Sequence, residues 1–384
     1  MRIGFDVSQT GKAKAGCGYF AESLIRHLAQ IDQYNEYILY PTFGDSYFDS
    51  SISFVCKINQ NNFRNGLRYF LSHHARDFWR NPPINYETPL GEPEIIHANN
   101  FFCPVRLYNA RLIYTLYDLS FMEFPEWTTE QNRTACFNGV FNASRYADFI
   151  VAISENSRHH FLEVFPHYPR DRIVVMHPAS RFSSSVEVDK PNSLDLIQTE
   201  RFWLCAGTIE PRKNHRLILR AYAKLKKCMG HPFPLVIAGG EGWLMGEFRA
   251  DIEGLGLSED VILLGYVDDY TLQWLYQNCF AFLYPSLFEG FGLPVVEAMT
   301  LGAAVITSNT SSIPEITGPA ALLIDPRQEE ELFQAMRKLI LDQEFRVALK
   351  NKALEQARAF SWNDAAVKML ELYQTALQQP KLIS

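Results

Sequence analysis

The sequence predicts an α/β protein built as two Rossmann-like domains facing each other across a cleft, and three observations carry that reading. At 384 residues the chain is too long for one ordinary core. Short, continuous, β-branched apolar runs alternate with helical patterns almost throughout, as parallel strands buried on both faces do. A polar, aliphatic-poor break from about Ser183 to Thr199 divides these runs into two series.

In the first series the runs are "RIGFDV", "EYILYP", "EIIHAN", "RLIYTLYD", "DFIVAIS" and "RIVVMHP". In the second they are "FWLCAG", "PLVIAGG", "VILLGY", "AFLYPS", "AAVITSN" and "AALLID". Segments such as "GYFAESLIRHLAQ" and "NHRLILRAYAKLKK" supply the crossover helices of repeated βαβ units. The expected division is an N-terminal Rossmann-like domain over 1–183, a linker over 184–200, a second Rossmann-like domain over 201–365, and a C-terminal helix over 366–384 that crosses back to the first domain. In doubly wound sheets ligands sit at the carboxyl ends of the strands, so the loops that follow strands matter most.

Composition narrows the class. With 47% hydrophobic and 21% charged residues the chain reads as globular. A net charge of −7 argues against a general nucleic-acid binder. The start, "MRIGFDVSQTG", lacks a signal-peptide layout and no run is long enough to span a bilayer, so a cytoplasmic protein is expected. Seven scattered cysteines without a C-x-x-C pair read as reduced thiols. His97, His177 and the pairs His73-His74 and His159-His160 lack metal-ligand spacing and read as structural or surface residues.

Three loops carry chemistry. In "AGTIEPRKN", which holds Gly207, the cations Arg212 and Lys213 stand side by side where a helix begins. Two cations beside free helical N–H groups suit a diphosphate; the plain alternative is an exposed basic turn capping a helix. In "SLFEGFGLPVVEAM", Glu289 stays in a loop while Glu297 falls in the first turns of a helix opened by Gly290, Gly292 and Pro294. Each acid can accept from vicinal hydroxyls of a ribose or a sugar; the alternative is a Gly-Pro helix start with solvated acids. In "GKAKAGCGYFAESL", Gly16 and Gly18 fit a tight phosphate-facing turn leading into a helix. Gly16 to Ala21 also match G-x-G-x-x-A, but the glycines lie some nine residues past the strand and no acid ends the next one, which counts against a dehydrogenase.

The order "GTIEPRKN", "LVIAGG", "LLGYVDD", "PSLFEGFGLPVVEAMTLGAAVITSNTSSIPEI" and "FSWNDAA" resembles family 4 glycosyltransferases of the GT-B fold, specifically over 205–325 and more loosely before it. The eight-residue step from Glu289 to Glu297 is the family's hallmark. The resemblance implies that Arg212 and Lys213 bind the donor diphosphate, that Glu297 holds the ribose hydroxyls, and that Glu289 lies against the transferred sugar. It implies that Phe291, Gly292 and Leu293 cradle sugar and phosphate, that Tyr266 and Val267 receive the base, and that Gly16, Cys17 and Gly18 close on the diphosphate. Many relatives read His-Asp where this chain has Tyr117-Asp118; tyrosine cannot act as a positive partner, while Asp118 is expected either to contact hydroxyls or to cap the next turn. Asp268 and Asp269 read as helix capping.

The activity so implied is retaining hexosyl transfer to a glycan or lipid-linked saccharide without a metal or other cofactor. UDP-glucose is the first expected donor and GDP-mannose the second. Competing readings are a sugar-nucleotide epimerase of the same fold and a catalytically silent nucleotide-sugar sensor. In residues 63–81, Leu67, Phe70, Leu71, His74 and Phe78 fall at helical spacing with Arg64, Arg68, Arg76 and Arg80 on the remaining faces. Such a helix can rest on an anionic membrane, here the inner face of the plasma membrane; an ordinary helix with a solvated basic face is the alternative.

Overall fold

The structure, a computed structural model, describes residues 1–11, 14–44, 56–66, 72–230, 233–240 and 245–382. The chain divides into two compact units, Met1–Pro178 with Ser361–Ser384, and Ala179–Phe360.

The first unit holds β1 (Arg2–Asp6), β2 (Glu36–Tyr40), β3 (Phe63–Asn65), β4 (Ile95–Ala98), β5 (Arg111–Leu116), β6 (Phe149–Ala152) and β7 (Ile173–Val175). They form one sheet in the order β3-β2-β1-β4-β5-β6-β7, and every neighbouring pair is parallel. β4 and β6 are buried at every position, which is why their sequences run apolar without alternation. The helix Gly16–Ile31 packs Phe20, Leu24, Ile25 and Leu28, residues at three- and four-residue spacing, into the unit.

The helix Trp362–Gln378 belongs to this first unit. Its Tyr373 hydroxyl meets His97 Nδ1 at 2.8 Å, and Arg111 Nε donates to the Ala376 carbonyl at 2.8 Å. His97 also meets Thr115 Oγ1 at 2.9 Å, and burial pushes its pKa down to about 3, so it is a neutral core residue as its spacing suggested.

The second unit holds β8 (Trp203–Ala206), β9 (Leu235–Ala238), β10 (Val261–Gly265), β11 (Ala281–Tyr284), β12 (Val305–Ser308) and β13 (Leu322–Ile324) in the parallel order β10-β9-β8-β11-β12-β13. In both sheets the order reverses next to the first strand, at β1/β4 and β8/β11, where doubly wound sheets bind ligands.

Several boundaries differ from expectation. The units part at 178/179 and 360/361, not at 183 and 365. Residues 184–200 pack with the second unit: Gln273 and Gln277 donate to the Val186 carbonyl at 2.8 and 2.7 Å, and Leu194 and Ile197 are buried. The expected helix over 63–81 is shorter. Phe63–Asn65 form the edge strand β3, where Arg64 pairs with Glu36 at 2.7 Å, and the helix present is Ser72–Arg80. Leu67, Arg68, Phe70 and Leu71 lie outside the described residues. Among the described residues no helix is long and apolar enough to cross a membrane.

Candidate active site

The second unit builds its site at the β8/β11 reversal. After β8 the chain turns at Gly207 (φ +134°) and enters a 3₁₀ turn, Pro211–Lys213, that leads into the helix His215–Met229. Asn214 links the two in a left-handed conformation (φ 59°). Its Nδ2 donates to the Pro285 carbonyl at 3.1 Å and the Pro326 carbonyl at 2.7 Å, tying this turn to the loops after β11 and β13.

The turn carries Arg212 and Lys213 to Glu289. Arg212 Nη1 lies 2.7 Å from Glu289 Oε2, and its Nη2 lies 2.8 Å from Glu210 Oε1. Lys213 Nζ lies 2.6 Å from Glu289 Oε1 and also donates to the Tyr284 hydroxyl, which itself donates to Glu289 Oε1 at 2.8 Å. Burial alone would raise the Glu289 pKa; Arg212 and Lys213 overcome it and hold the carboxyl at about 2. Burial and then Arg212 lower the Lys213 pKa, against the pull of Glu289. The result is two fixed cations on one ionised carboxylate at the start of a helix, an arrangement suited to a phosphate-bearing ligand with hydroxyls.

Glu289 is set by its backbone. Its N–H donates to Ser311 Oγ at 2.9 Å, and the Ser312 hydroxyl lies 2.9 Å from the Glu289 carbonyl and 2.8 Å from that of Phe291. Gly292 (φ +107°) then opens the helix Leu293–Thr300. A Cβ there would come within 2.7 Å of Ile313 Cδ1, a side-chain tip that can shift, so it is the positive φ of the turn that calls for glycine. Leu293 is the first residue of that helix, while the Phe291 ring is buried against Phe360.

Glu297 lies one turn into that helix with a different partner. Arg181 Nε is 3.1 Å from its Oε1, and the Tyr276 hydroxyl is 3.4 Å from its Oε2. Burial pushes the Glu297 pKa up to about 7, Arg181 offsetting only part of the cost. The folded value lies above the ordinary 4.5, so Glu297 contributes stability that is fully present below pH 4.5 and lost as pH rises toward 7. Relative to wild type, Glu297→Gln should therefore gain stability with rising pH, on the order of 3 kcal/mol over the full titration. Melting curves from pH 5 to 8 test this, and parallel profiles for the two proteins would refute it. Tyr266 is exposed after β10, and Asp268 caps the next helix by accepting from Thr271 N at 2.8 Å.

In the first unit, Gly16, Cys17 and Gly18 are the opening residues of the helix Gly16–Ile31, not a turn before it. Gly16 has open space around it, whereas a Cβ on Gly18 would sit 2.0 Å from the Gln9 carbonyl oxygen. The residue in place of the usual histidine is buried: the Tyr117 hydroxyl donates to the Asn99 carbonyl at 2.7 Å and lies 3.3 Å from that of Cys17. Tyr117 thus ties the end of β5 to the helix that begins with the glycines. Tyr117→Phe is expected to cost about 1 kcal/mol, read as a lower urea midpoint; an unchanged midpoint would deny that tie. Asp118 Oδ1 accepts from Ser120 N at 2.9 Å and Ser120 Oγ at 2.6 Å, closing a turn over Leu119, the N-cap of the short helix Ser120–Glu123.

Sequence reasoning missed Tyr284, Arg181, Ser311 and Ser312. The first two are single residues with no motif around them, and the serines lie inside "SNTSSIPEI", where nothing in the local pattern sets them apart. Among the described residues no group of three or more His, Cys, Asp or Glu is disposed to hold a metal ion.

Comparison with known proteins identifies the family of the chain. Residues 188–356 match the family model described as glycosyl transferases group 1. The chain is 32% identical over 284 residues to O-antigen chain mannosyltransferase B of Escherichia coli, covering 73% of this chain and 74% of that one. It is 33% identical over 249 residues to the serotype-specific mannosyltransferase WbdA of Escherichia coli, spanning 61% of this chain but only 30% of that longer protein. The crystal structure of Anabaena Alr3699/HepE in complex with UDP-glucose superposes with a TM-score of 0.73 at 17% identity, covering 98% of this chain and 100% of that one. The fold is GT-B. The chain belongs to the group 1 (family 4) glycosyltransferases, and its relatives include bacterial O-antigen mannosyltransferases.

Proposed function

We propose that this enzyme transfers mannose from GDP-mannose to a saccharide acceptor in the assembly of a bacterial surface polysaccharide. The observation that carries the transfer chemistry is the Arg212–Lys213–Glu289 cluster at a helix start, its carboxylate buried and its two cations half-buried. The choice of sugar is supported by the mannosyltransferase relatives, at 32% and 33% identity. That support reverses the order expected from sequence, in which UDP-glucose came first. The UDP-glucose complex of the Anabaena protein, at 17% identity, bears on fold alone.

In this reading Arg212 and Lys213 hold the diphosphate. The bond from the anomeric carbon to the phosphate oxygen breaks, and its electron pair leaves with the diphosphate. Fixed cations stabilise that leaving charge without reorganising. The acceptor hydroxyl forms the new bond on the same face, with retention, and its proton passes to the departing phosphate. Glu289 lies against the transferred sugar and keeps both cations aimed, while Glu297 accepts from the ribose hydroxyls. Phe291, Gly292 and Leu293 offer backbone to sugar and phosphate, Gly207 leaves the β8 turn open beside the diphosphate, and Tyr266 and Val267 flank the base.

A thermal-shift panel of GDP-mannose, UDP-glucose and UDP-N-acetylglucosamine on wild type and Arg212→Ala tests the donor. Ligand that binds only the native state raises Tm by mass action. GDP-mannose should stabilise wild type most and the variant least. Stabilisation by UDP-glucose but not GDP-mannose would overturn the choice of donor, and no stabilisation by any of the three would overturn the donor site.

A further inference from the structure

We propose that the first unit carries a saccharide subsite of its own, a pocket of about 470 Å³ beside the helix Glu130–Tyr146 that takes a neutral sugar residue of the acceptor glycan. The inference rests on the glycosyl-transfer reading above and adds a place for the second substrate. The volume falls within the roughly 300–1,000 Å³ of small-ligand pockets.

One wall is a row of neutral polar side chains. Gln131, Thr134, Asn138 and Asn142 follow one another at three- and four-residue steps, so they share one face of the helix, and all four line the pocket. The amides of Gln131, Asn138 and Asn142 make no hydrogen bond to the protein among the described residues. Each presents two donors and an acceptor at fixed spacing, the complement of adjacent sugar hydroxyls, which both donate and accept.

The facing wall is the loop after β4, which includes Phe101 and Phe102. Gly139 lets it come this close: a Cβ there would lie 1.5 Å from the Phe101 carbonyl oxygen. Beneath lie Trp79 and Tyr86, whose polar ends are already engaged. Trp79 Nε1 donates to the Thr42 carbonyl at 3.2 Å and the Tyr86 hydroxyl to the Val105 carbonyl, so these rings offer the pocket carbon. A pyranose has the same two-sided character, C–H groups on its faces and hydroxyls around its rim. Aromatic carbon below and unpartnered amides beside it match both.

Charge excludes other ligand classes. Among the described residues, Arg80 is the one charged side chain lining the pocket. With no carboxylate there it is not a cation site, and a single exposed guanidinium does not make the multi-donor cradle a phosphate needs.

Saturation-transfer NMR on the full chain tests the subsite, with α-mannotriose, maltotriose and chitotriose at millimolar concentration as probes and GDP-mannose binding followed in parallel. At least one trisaccharide should bind wild type. The double variant Asn138→Ala/Asn142→Ala should weaken that binding about tenfold or more, two lost hydrogen bonds. Asn138→Trp, at an exposed helix position, should block it by filling the mouth, and GDP-mannose affinity should be unchanged in both. The inference is overturned if all three trisaccharides fail to bind, or if the variants bind them as wild type does. Failure of GDP-mannose alone would count against the donor reading, and the trisaccharide result would still decide this pocket.

Discussion

Lys213→Ala is expected to lower kcat/KM for sugar transfer by roughly 10²–10³, the loss typical when one preorganised donor to a developing negative charge is removed. The fold should survive, because Glu289 keeps Arg212 at 2.7 Å and the Tyr284 hydroxyl at 2.8 Å. The stability cost should therefore stay below the roughly 3–5 kcal/mol of leaving a buried charge without a partner. A pH signature accompanies the loss. Glu289 is held at about 2 in the folded protein against an ordinary 4.5, so it contributes stability above pH 4.5 that disappears as pH falls toward 2. Removing Lys213 weakens that depression, and the acid-unfolding midpoint should move to higher pH. Initial rates with GDP-mannose and an acid titration followed by circular dichroism measure the two effects. An unchanged kcat/KM would remove Lys213 from the donor site.

Gly239→Ala should damage both the second unit and its site. Gly239 follows β9, and a Cβ on it would stand 1.9 Å from the Gly207 carbonyl oxygen and 2.4 Å from its carbon. Both are backbone atoms in the turn after β8, so no side chain can rotate away. The turn itself must move, although the Gly207 N–H is bonded to the Ala238 carbonyl at 2.9 Å and the Gly239 N–H to that of Gly265 at 2.8 Å. Overpacking of this kind costs about 1–3 kcal/mol, which for a unit of this size lowers Tm by several degrees. Because the displaced turn leads to Arg212 and Lys213, the donor KM should rise as well. Gly207→Ala is the control: a Cβ there meets nothing nearer than the Lys213 side chain at 3.8 Å, and its cost comes only from the φ of +134°. A melting curve and a donor KM for each variant decide the matter, and wild-type values for Gly239→Ala would refute the contact.

The strands were legible because local pattern and tertiary role coincide in a parallel sheet. "IIHA" and "FIVA" are apolar at nearly every position because both faces of β4 and β6 are covered. β3 was missed for the converse reason: three residues with one side chain buried carry no periodicity, and its place beside β2 is decided by pairing at Tyr37↔Phe63. The same limit explains the basic segment around it, where spacing suggested one helix and backbone pairing with β2, Ile38↔Arg64, put Arg64 on a strand.

The candidate site divides the same way. Arg212, Lys213, Glu289 and Glu297 could be picked out because residue type, glycine and proline placement and position relative to a helix start are properties of short stretches. So was the capping role of Asp268. The sequence by itself determined the parallel α/β class, its two series of strands and the charged loops at their ends. The tertiary structure decided which partners those loops found. Asn214 reaches Pro326, Lys213 reaches Tyr284 and Glu289, Glu297 takes Arg181, and the final helix joins the first unit through Tyr373 and His97. Those pairings join residues far apart in the chain. They are chosen by which surfaces pack once the sheets form, and no window of sequence contains both halves of such a contact.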